Sequence, residues 1–211
     1  MIEDLFTPVV PAAPGFAVLP GFARAQEAAL LAAIETIAAA APFRRMATPG
    51  GHVMSVATTS CGTAGWITDR RGYRYAAADP LTGTLWPAMP ARLAALADAA
   101  AQTAGFAGFQ PDSCLINRYE AGAKMALHQD RDEVDLAAPI VSVSLGIPAV
   151  FLWGGTSRSG KPQKIRLESG DVVVFGGPAR LNFHGIAKVA AGRHILFGPH
   201  RINLTFRQAL W

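Results

Sequence analysis

From Pro111 onward the sequence is cut into short apolar or alternating runs, each too brief for a helix and too regular for a loop. They cover 114–119, 140–145, 149–153, 164–167, 171–175, 181–184 and 201–206. Turns rich in glycine and proline separate them: Leu145-Gly146-Ile147-Pro148, Gly154-Gly155, Ser169-Gly170-Asp171 and Gly176-Gly177-Pro178. Strands recurring at intervals of roughly 8–12 residues predict a β-sandwich or a double-sheet jelly roll.

The preceding half has a different texture. Its first twenty residues, with Pro8, Pro11, Pro14 and Pro20, predict an extended or irregular arm. Leu30, Leu31, Ile34 and Ile37 stand at helical spacing within 23–41, and Pro42 stops that helix. Segment 43–90 is broken by glycines and rich in Thr, Tyr and Trp, as hairpins and loops are. A second helix opens at Pro90, places Leu93 and Leu96 on one face and ends at Gly105. The expected class is therefore mainly β with flanking helices. It divides into an arm and helix (1–42), a glycine-broken segment (43–90), and a helix with the β-rich remainder (91–211).

Composition sets the outer limits. At 211 residues, 51% hydrophobic and 16% charged, the chain fills one globular domain and is not disordered in bulk. A net charge of +4 is compatible with a polyanionic partner but is not specific for one. Cys61 and Cys114 form no CxxC pair, so a disulfide framework and a zinc knuckle are both unexpected, and a reducing cytosol suits them. The acidic start, Met1-Ile2-Glu3-Asp4-Leu5-Phe6, lacks the basic region of a signal peptide. The longest apolar stretch, around 28–41, is interrupted by Glu35 and reads as a core helix. A soluble, cytoplasmic protein is expected, and a monomer, since neither helix carries a long heptad seam.

The chemistry concentrates in Leu127-His128-Gln129-Asp130. In extended backbone, residues two apart share a face, so the His128 imidazole and Asp130 carboxylate converge. His184 follows, 54 positions beyond Asp130, at the expected end of the 181–184 strand. Two imidazoles and one carboxylate on one face of an octahedral ion leave three positions open, as non-haem iron(II) oxygenases require. A bidentate oxoacid and dioxygen need those positions. An HxD pair alone is common in surface turns and core hydrogen bonds. A three-ligand zinc hydrolase is the other metal option, and it needs a general base besides. His52, His194 and His200 have no carboxylate at such spacing and are expected to be surface or satisfied histidines.

A second feature raises the specificity. In Arg201-Ile202-Asn203-Leu204-Thr205-Phe206-Arg207, alternation sends Arg201, Asn203, Thr205 and Arg207 to one face. That face is either solvated surface or a carboxylate clamp, because a guanidinium fork matches a carboxylate bidentately. Asn117 and Tyr119 share a face of their own strand and can add an amide and a phenol to the same ligand.

With these residues in hand, the sequence resembles the AlkB family of nucleic-acid dealkylases over nearly its whole length. The likeness is carried by Met46-Ala47-Thr48-Pro49-Gly50-Gly51, Met54-Ser55-Val56, Gly65-Trp66, Trp86-Pro87-Ala88-Met89-Pro90 and Asn117-Arg118-Tyr119. It continues through Leu127-His128-Gln129-Asp130 and the segments 139–146, 170–174 and 203–208. The resemblance implies a double-stranded β-helix (jelly roll) with an N-terminal nucleotide-recognition lid, the 43–90 segment. It implies Fe(II) on His128, Asp130 and His184. It implies 2-oxoglutarate on Arg201, completed by Asn117, Tyr119, Asn203 and Arg207, with O2 as second cosubstrate. Trp66 would stack on a flipped base against His128, with Asp132 beside its exocyclic amine. Tyr73, Tyr75 and Arg158 would line the nucleotide path, with Thr48, Lys124 and Gln129 as further contacts. The implied substrate is alkylated DNA, single-stranded by preference and duplex as well, with RNA as an additional one. No membrane partner is implied. Phe175, His52 and Ile202 depart from the family pattern, and the loop Phe197-Gly198-Pro199-His200 is particular to this chain.

Independently of the family, Tyr73 and Tyr75 alternate with Arg70, Arg71 and Arg74, a pattern suited to single-stranded nucleic acid. Arg158, Lys161 and Lys164 form a small basic group suited to phosphate or to plain solvation. Two alternatives stand beside the dealkylase: an oxygenase acting on a protein side chain or small molecule, and a non-catalytic binding jelly roll.

Overall fold

The computed structural model describes residues 10–210. The acidic start and Pro8 lie outside the described residues. The elements begin with β1 (Val10–Ala13), β2 (Phe16–Leu19) and α1 (Glu27–Ala40). Then come β3 (Ala57–Gly62), β4 (Gly65–Asp69), β5 (Gly72–Ala76) and α2 (Ala91–Thr103). The remainder is β6 (Ser113–Tyr119), β7 (Met125–His128), β8 (Ile140–Gly146), β9 (Ala149–Trp153), β10 (Gln163–Leu167), β11 (Val172–Phe175), β12 (His184–Ile186) and β13 (Arg201–Arg207).

Two antiparallel sheets make the jelly roll: a seven-stranded one ordered β1-β2-β11-β8-β13-β6-β3, and a four-stranded one ordered β10-β9-β12-β7. β4 and β5 form a separate hairpin. Alternation decides what each face of the large sheet meets. Val141, Val143 and Leu145 of β8, Val172 and Val174 of β11, and Leu204 and Phe206 of β13 join Leu30, Ile34, Ile37, Leu93 and Leu96 in one buried cluster. The helices therefore cover that face. Ile140, Val173 and Phe175 fall on the opposite face and meet Phe151, Trp153 and Ile186 of the small sheet in a second cluster. Each large buried aliphatic or aromatic side chain stabilises such a core by roughly 1.5–3 kcal/mol. A third, small cluster of Ala41, Met46, Ile67 and Trp86 anchors the β4–β5 hairpin apart from both main cores.

Three sequence expectations change in detail. Within the described residues the proline-rich arm is a hairpin, and β2 pairs with β11, joining the large sheet. The first helix starts at Glu27, after a 3₁₀ turn over Arg24–Gln26. Residues 181–183 are not a strand. His184 opens β12 where the sequence pattern had it closing a strand. Gly185 explains the shift, since a Cβ there would lie 2.6 Å from the Met125 carbonyl oxygen. Only a glycine lets β12 approach β7 at that point. No helix among the described residues is long and apolar enough to cross a membrane.

Segment 43–90 is not detached from the rest. It supplies β3, which pairs along its length with β6 at the edge of the large sheet, and it supplies the β4–β5 hairpin.

Candidate active site

β7 and β12 pair so that His128 stands opposite His184, with ring centroids 4.4 Å apart. Asp130 lies two residues past His128, and its two oxygens divide the work. Oδ1 is 3.7 Å from His128 Nε2, while Oδ2 is 3.8 Å from His184 Nε2. The ligand atoms of all three residues fall within 4.8 Å of one another, the one such histidine–carboxylate group among the described residues.

The chain also sets which imidazole nitrogen is free. His128 Nδ1 is 2.9 Å from the Ala126 carbonyl and His184 Nδ1 is 3.1 Å from the Asn182 carbonyl. A carbonyl only accepts, so each Nδ1 carries a proton and Nε2 is the nitrogen turned toward Asp130. Burial, reinforced by the neighbouring His128, lowers the His184 pKa to about 4, so it is neutral at physiological pH. Burial alone would push the Asp130 carboxyl up. Arg207 and then the two imidazoles outweigh it and hold Asp130 below the ordinary carboxylate range. A neutral His184 and an ionised Asp130 suit a divalent ion.

This group lies on a cavity of about 600 Å³ between the sheets and the hairpin. The polar face of β13 is not solvated. Arg201, Asn203, Thr205 and Arg207 are all buried and all line the cavity, as do Asn117 and Tyr119. Arg201 is 1% exposed, lies with its guanidinium 4.9 Å from the Tyr119 ring centroid, and donates to Ser144 Oγ at 3.1 Å. Its Nε and Nη1 have no protein partner. Burial lowers its pKa, against an opposing contribution from the Tyr119 phenol. A carboxylate of a dicarboxylic acid supplies the missing counter-charge and accepts from a free edge of this guanidinium. The donor set thus fits both a ferrous ion and 2-oxoglutarate.

Arg207 behaves differently from Arg201. Its Nη2 and Nε donate to Asp130 Oδ2 at 2.8 and 3.1 Å, and its Nε lies 3.2 Å from Glu133 Oε1. Trp66 and Tyr73 stack at 5.5 Å on the β4–β5 hairpin, and Trp66 Nε1 donates to Asp132 Oδ2 at 2.9 Å. Trp66, Tyr73, Asp132, Arg158, Thr48 and Gln129 all line the cavity. Tyr75 does not. Its hydroxyl donates to Glu133 Oε1 at 2.6 Å, behind the metal group. Burial, then Glu133 and Asp130 acting against Arg207, raise its phenol well above the ordinary range. Lys124 also lies outside the cavity lining, and its backbone is bonded to Ser55. Of the departures, Phe175 lines the cavity 4.8 Å from the His184 ring, Ile202 packs into the helix-side core, and His52 is exposed.

Glu133 and Arg180 were not singled out from the sequence. Arg180 is 2% exposed and donates to Glu133 Oε2 at 3.0 Å and to the Asp130 carbonyl at 2.5 Å. Ser142 and Ser144, which orient Asn203 and Arg201, were likewise missed. Alternation along β8 places both serines on the face of Ile140, which was available as a signal.

A jelly roll with a two-histidine, one-carboxylate group and a buried arginine that keeps two nitrogens free defines a 2-oxoglutarate- and iron(II)-dependent oxygenase. Residues 15–207 match the family model of the 2OG-Fe(II) oxygenase superfamily, and the chain belongs to the AlkB branch of that superfamily. It is 58% identical to the alpha-ketoglutarate-dependent dioxygenase AlkB of Salmonella typhimurium (strain LT2), over 94% of this chain and 92% of that one. It is 53% identical, over the same shares, to the AlkB dioxygenase of Escherichia coli (strain K12). The solved structure of OsALKBH1 superposes with a TM-score of 0.84 at 29% identity, covering 95% of this chain and all of the other.

Proposed function

We propose that this enzyme repairs alkylated nucleic acid by oxidative demethylation of 1-methyladenine and 3-methylcytosine in DNA, with RNA as a further substrate. The observation that carries the reading is that one cavity joins the His128, Asp130 and His184 group to the Trp66–Tyr73 aromatic platform.

When bound, ferrous iron supplies oxygen activation driven by the decarboxylation of 2-oxoglutarate. The residues of the chain do the rest. His128 and His184 offer Nε2, and Asp130 offers Oδ1, because Arg207 occupies Oδ2. Arg201 holds the distal carboxylate of 2-oxoglutarate, with Asn117, Tyr119 and Asn203 around it. A methyl on a ring nitrogen resists hydrolysis. Inserting oxygen into one of its C–H bonds gives a hydroxymethyl, which collapses to formaldehyde as the C–N bonding pair returns to the ring nitrogen and the hydroxyl proton leaves to solvent. Succinate and CO2 leave as coproducts.

The methyl lies on the Watson–Crick edge, so the base must be single-stranded or turned out of the duplex. Unpairing costs a few kcal/mol, less where alkylation has already spoiled the pair. Trp66 then offers a stacking face worth roughly 1–3 kcal/mol per base, without demanding sequence. Asp132, held by the Trp66 indole, favours the cationic ring of these two lesions over a neutral one. The β4–β5 hairpin acts as the lid, with Tyr73 and Arg158 at the rim of the nucleotide path. A single-strand preference follows from the lower cost of presenting the base, and the enzyme acts as a monomer in a reducing cytosol.

The test is product analysis with oligonucleotides bearing 1-methyladenine or 3-methylcytosine. Formaldehyde and succinate in equal amounts, dependent on 2-oxoglutarate, are expected. Release of neither product by iron-loaded protein would refute the proposal.

A further inference from the structure

Glu133 stands three residues beyond the metal carboxylate, fully enclosed, with side-chain exposure of 2%. Its oxygens are committed in two directions. Oε1 accepts the Tyr75 hydroxyl at 2.6 Å and lies 3.2 Å from Arg207 Nε, while Oε2 accepts Arg180 Nη2 at 3.0 Å. Arg207 in turn grips Asp130 Oδ2 through two N–H groups. A continuous chain of hydrogen bonds, with the Glu133–Arg207 ion pair as its middle link, therefore runs from Tyr75 on β5 to the ligand carboxylate.

The hairpin end of this chain is the weakly held one. A two-stranded hairpin is marginal by itself. This one rests on a small apolar cluster, on bonds from Trp86 Nε1 to the Ala76 carbonyl and from the Thr68 N–H to Met46 Sδ, and on two bonds to the turn after Asp130: Trp66 to Asp132 and Tyr75 to Glu133. Trp66 and Tyr75 are direct cross-strand partners, so both bonds bear on one rung of the hairpin. At the other end, buried charges cannot be rearranged singly, because each unpaired one costs several kcal/mol. Fixing Asp130 on a metal therefore fixes Arg207, and through it Glu133.

We propose that Glu133 is a positioning residue that ties the β4–β5 hairpin to the iron-binding carboxylate, so that metal occupancy and hairpin closure are thermodynamically linked. The inference rests on the assignment of Asp130 as a metal ligand. Linkage is reciprocal, so a metal that steadies the hairpin is itself bound more tightly when the hairpin is closed. The iron is thereby held best when the nucleotide platform is in place.

The test uses Mn(II) as a redox-inert occupant, read by its spin resonance, together with hydrogen exchange of the amides in 65–76. In the wild-type protein, saturating Mn(II) slows exchange across the hairpin by about fivefold or more. Tyr75→Phe and Glu133→Gln, each saturated with Mn(II), are expected to lose most of that metal-dependent slowing. Glu133→Gln is also expected to weaken Mn(II) binding by about fivefold or more, as Arg207 shifts onto Asp130. A purely structural role would speed exchange equally with and without metal. Wild-type slowing in both metal-loaded variants would overturn the proposal while leaving the metal site standing. If Glu133→Gln does not fold, Tyr75→Phe decides alone. Failure of the wild-type protein to bind Mn(II) would overturn the ligand assignment itself.

Discussion

Arg207 closes on a single oxygen of Asp130, with Nη2 at 2.8 Å and Nε at 3.1 Å, and leaves the other carboxylate oxygen facing His128. This pairing keeps the carboxylate ionised in a buried site. Removing one member of a buried pair leaves the other uncompensated, at about 3–5 kcal/mol. Arg207→Met is expected to destabilise the metal-free protein by that amount in urea unfolding, because it strands Asp130 and leaves Glu133 with Arg180 as its one counter-charge. Arg207→Lys retains the charge but not the fork, and is expected to recover part of the loss.

Arg201 offers a different outcome, since its Nε and Nη1 have no partner in the chain. Arg201→Lys is expected to raise the KM for 2-oxoglutarate at least ~30-fold, the effect of losing about 2 kcal/mol of charge-assisted bonding. Mn(II) affinity in the absence of 2-oxoglutarate is expected to stay near wild type. Parallel loss of both would show that Arg201 supports the metal site and does not bind the cosubstrate.

His184 gives a pH dependence with a defined sign. Its pKa falls from 6.5 to about 4 on folding, so the unfolded chain binds more protons between those values. Stability of the metal-free protein therefore rises with pH across that window, by up to about 3 kcal/mol from this residue. Asp130, held below the ordinary carboxylate range, adds a loss in the same direction at still lower pH. Urea midpoints of wild type and His184→Gln, stepped through the window, check this. The variant is expected to show a flatter profile. An unchanged slope would remove His184 as its source.

Substitution of Trp66 is expected to separate substrate binding from cosubstrate turnover. Trp66→Ala is expected to weaken binding of a methylated single strand by roughly 1–3 kcal/mol, the loss of one stacked base. Turnover of 2-oxoglutarate without nucleic acid is expected to continue. Unchanged oligonucleotide affinity would remove Trp66 from the nucleotide path.

What could be read from the sequence was whatever repeats with the period of a strand or sits within two residues. His128 with Asp130 and the polar face of β13 both obey that rule, and both faces meet in the cavity. The alternation could not say whether the β13 face was wet or dry. That depended on the small sheet and the hairpin closing over it. The entry into β12 was misplaced because apolar Leu181 and Phe183 mimic a strand, whereas the contact that starts it is the close passage of Gly185 by β7. Tyr75 shares a strand face with Tyr73, yet its hydroxyl is taken by Glu133 and it leaves the cavity lining. Glu133 and Arg180 gave no local signal, because their ion pair joins positions 47 residues apart. Such buried pairs are specified by tertiary structure alone.

The central claim is that His128, Asp130 and His184 share one ferrous ion that still admits 2-oxoglutarate. Anaerobic titration of the protein with Fe(II) and 2-oxoglutarate tests it through the visible charge-transfer band of the chelated complex. One iron per chain is predicted, with a band that needs both additions and vanishes in Asp130→Ala. A band that persists undiminished in Asp130→Ala, or none in the wild-type protein, would contradict the account.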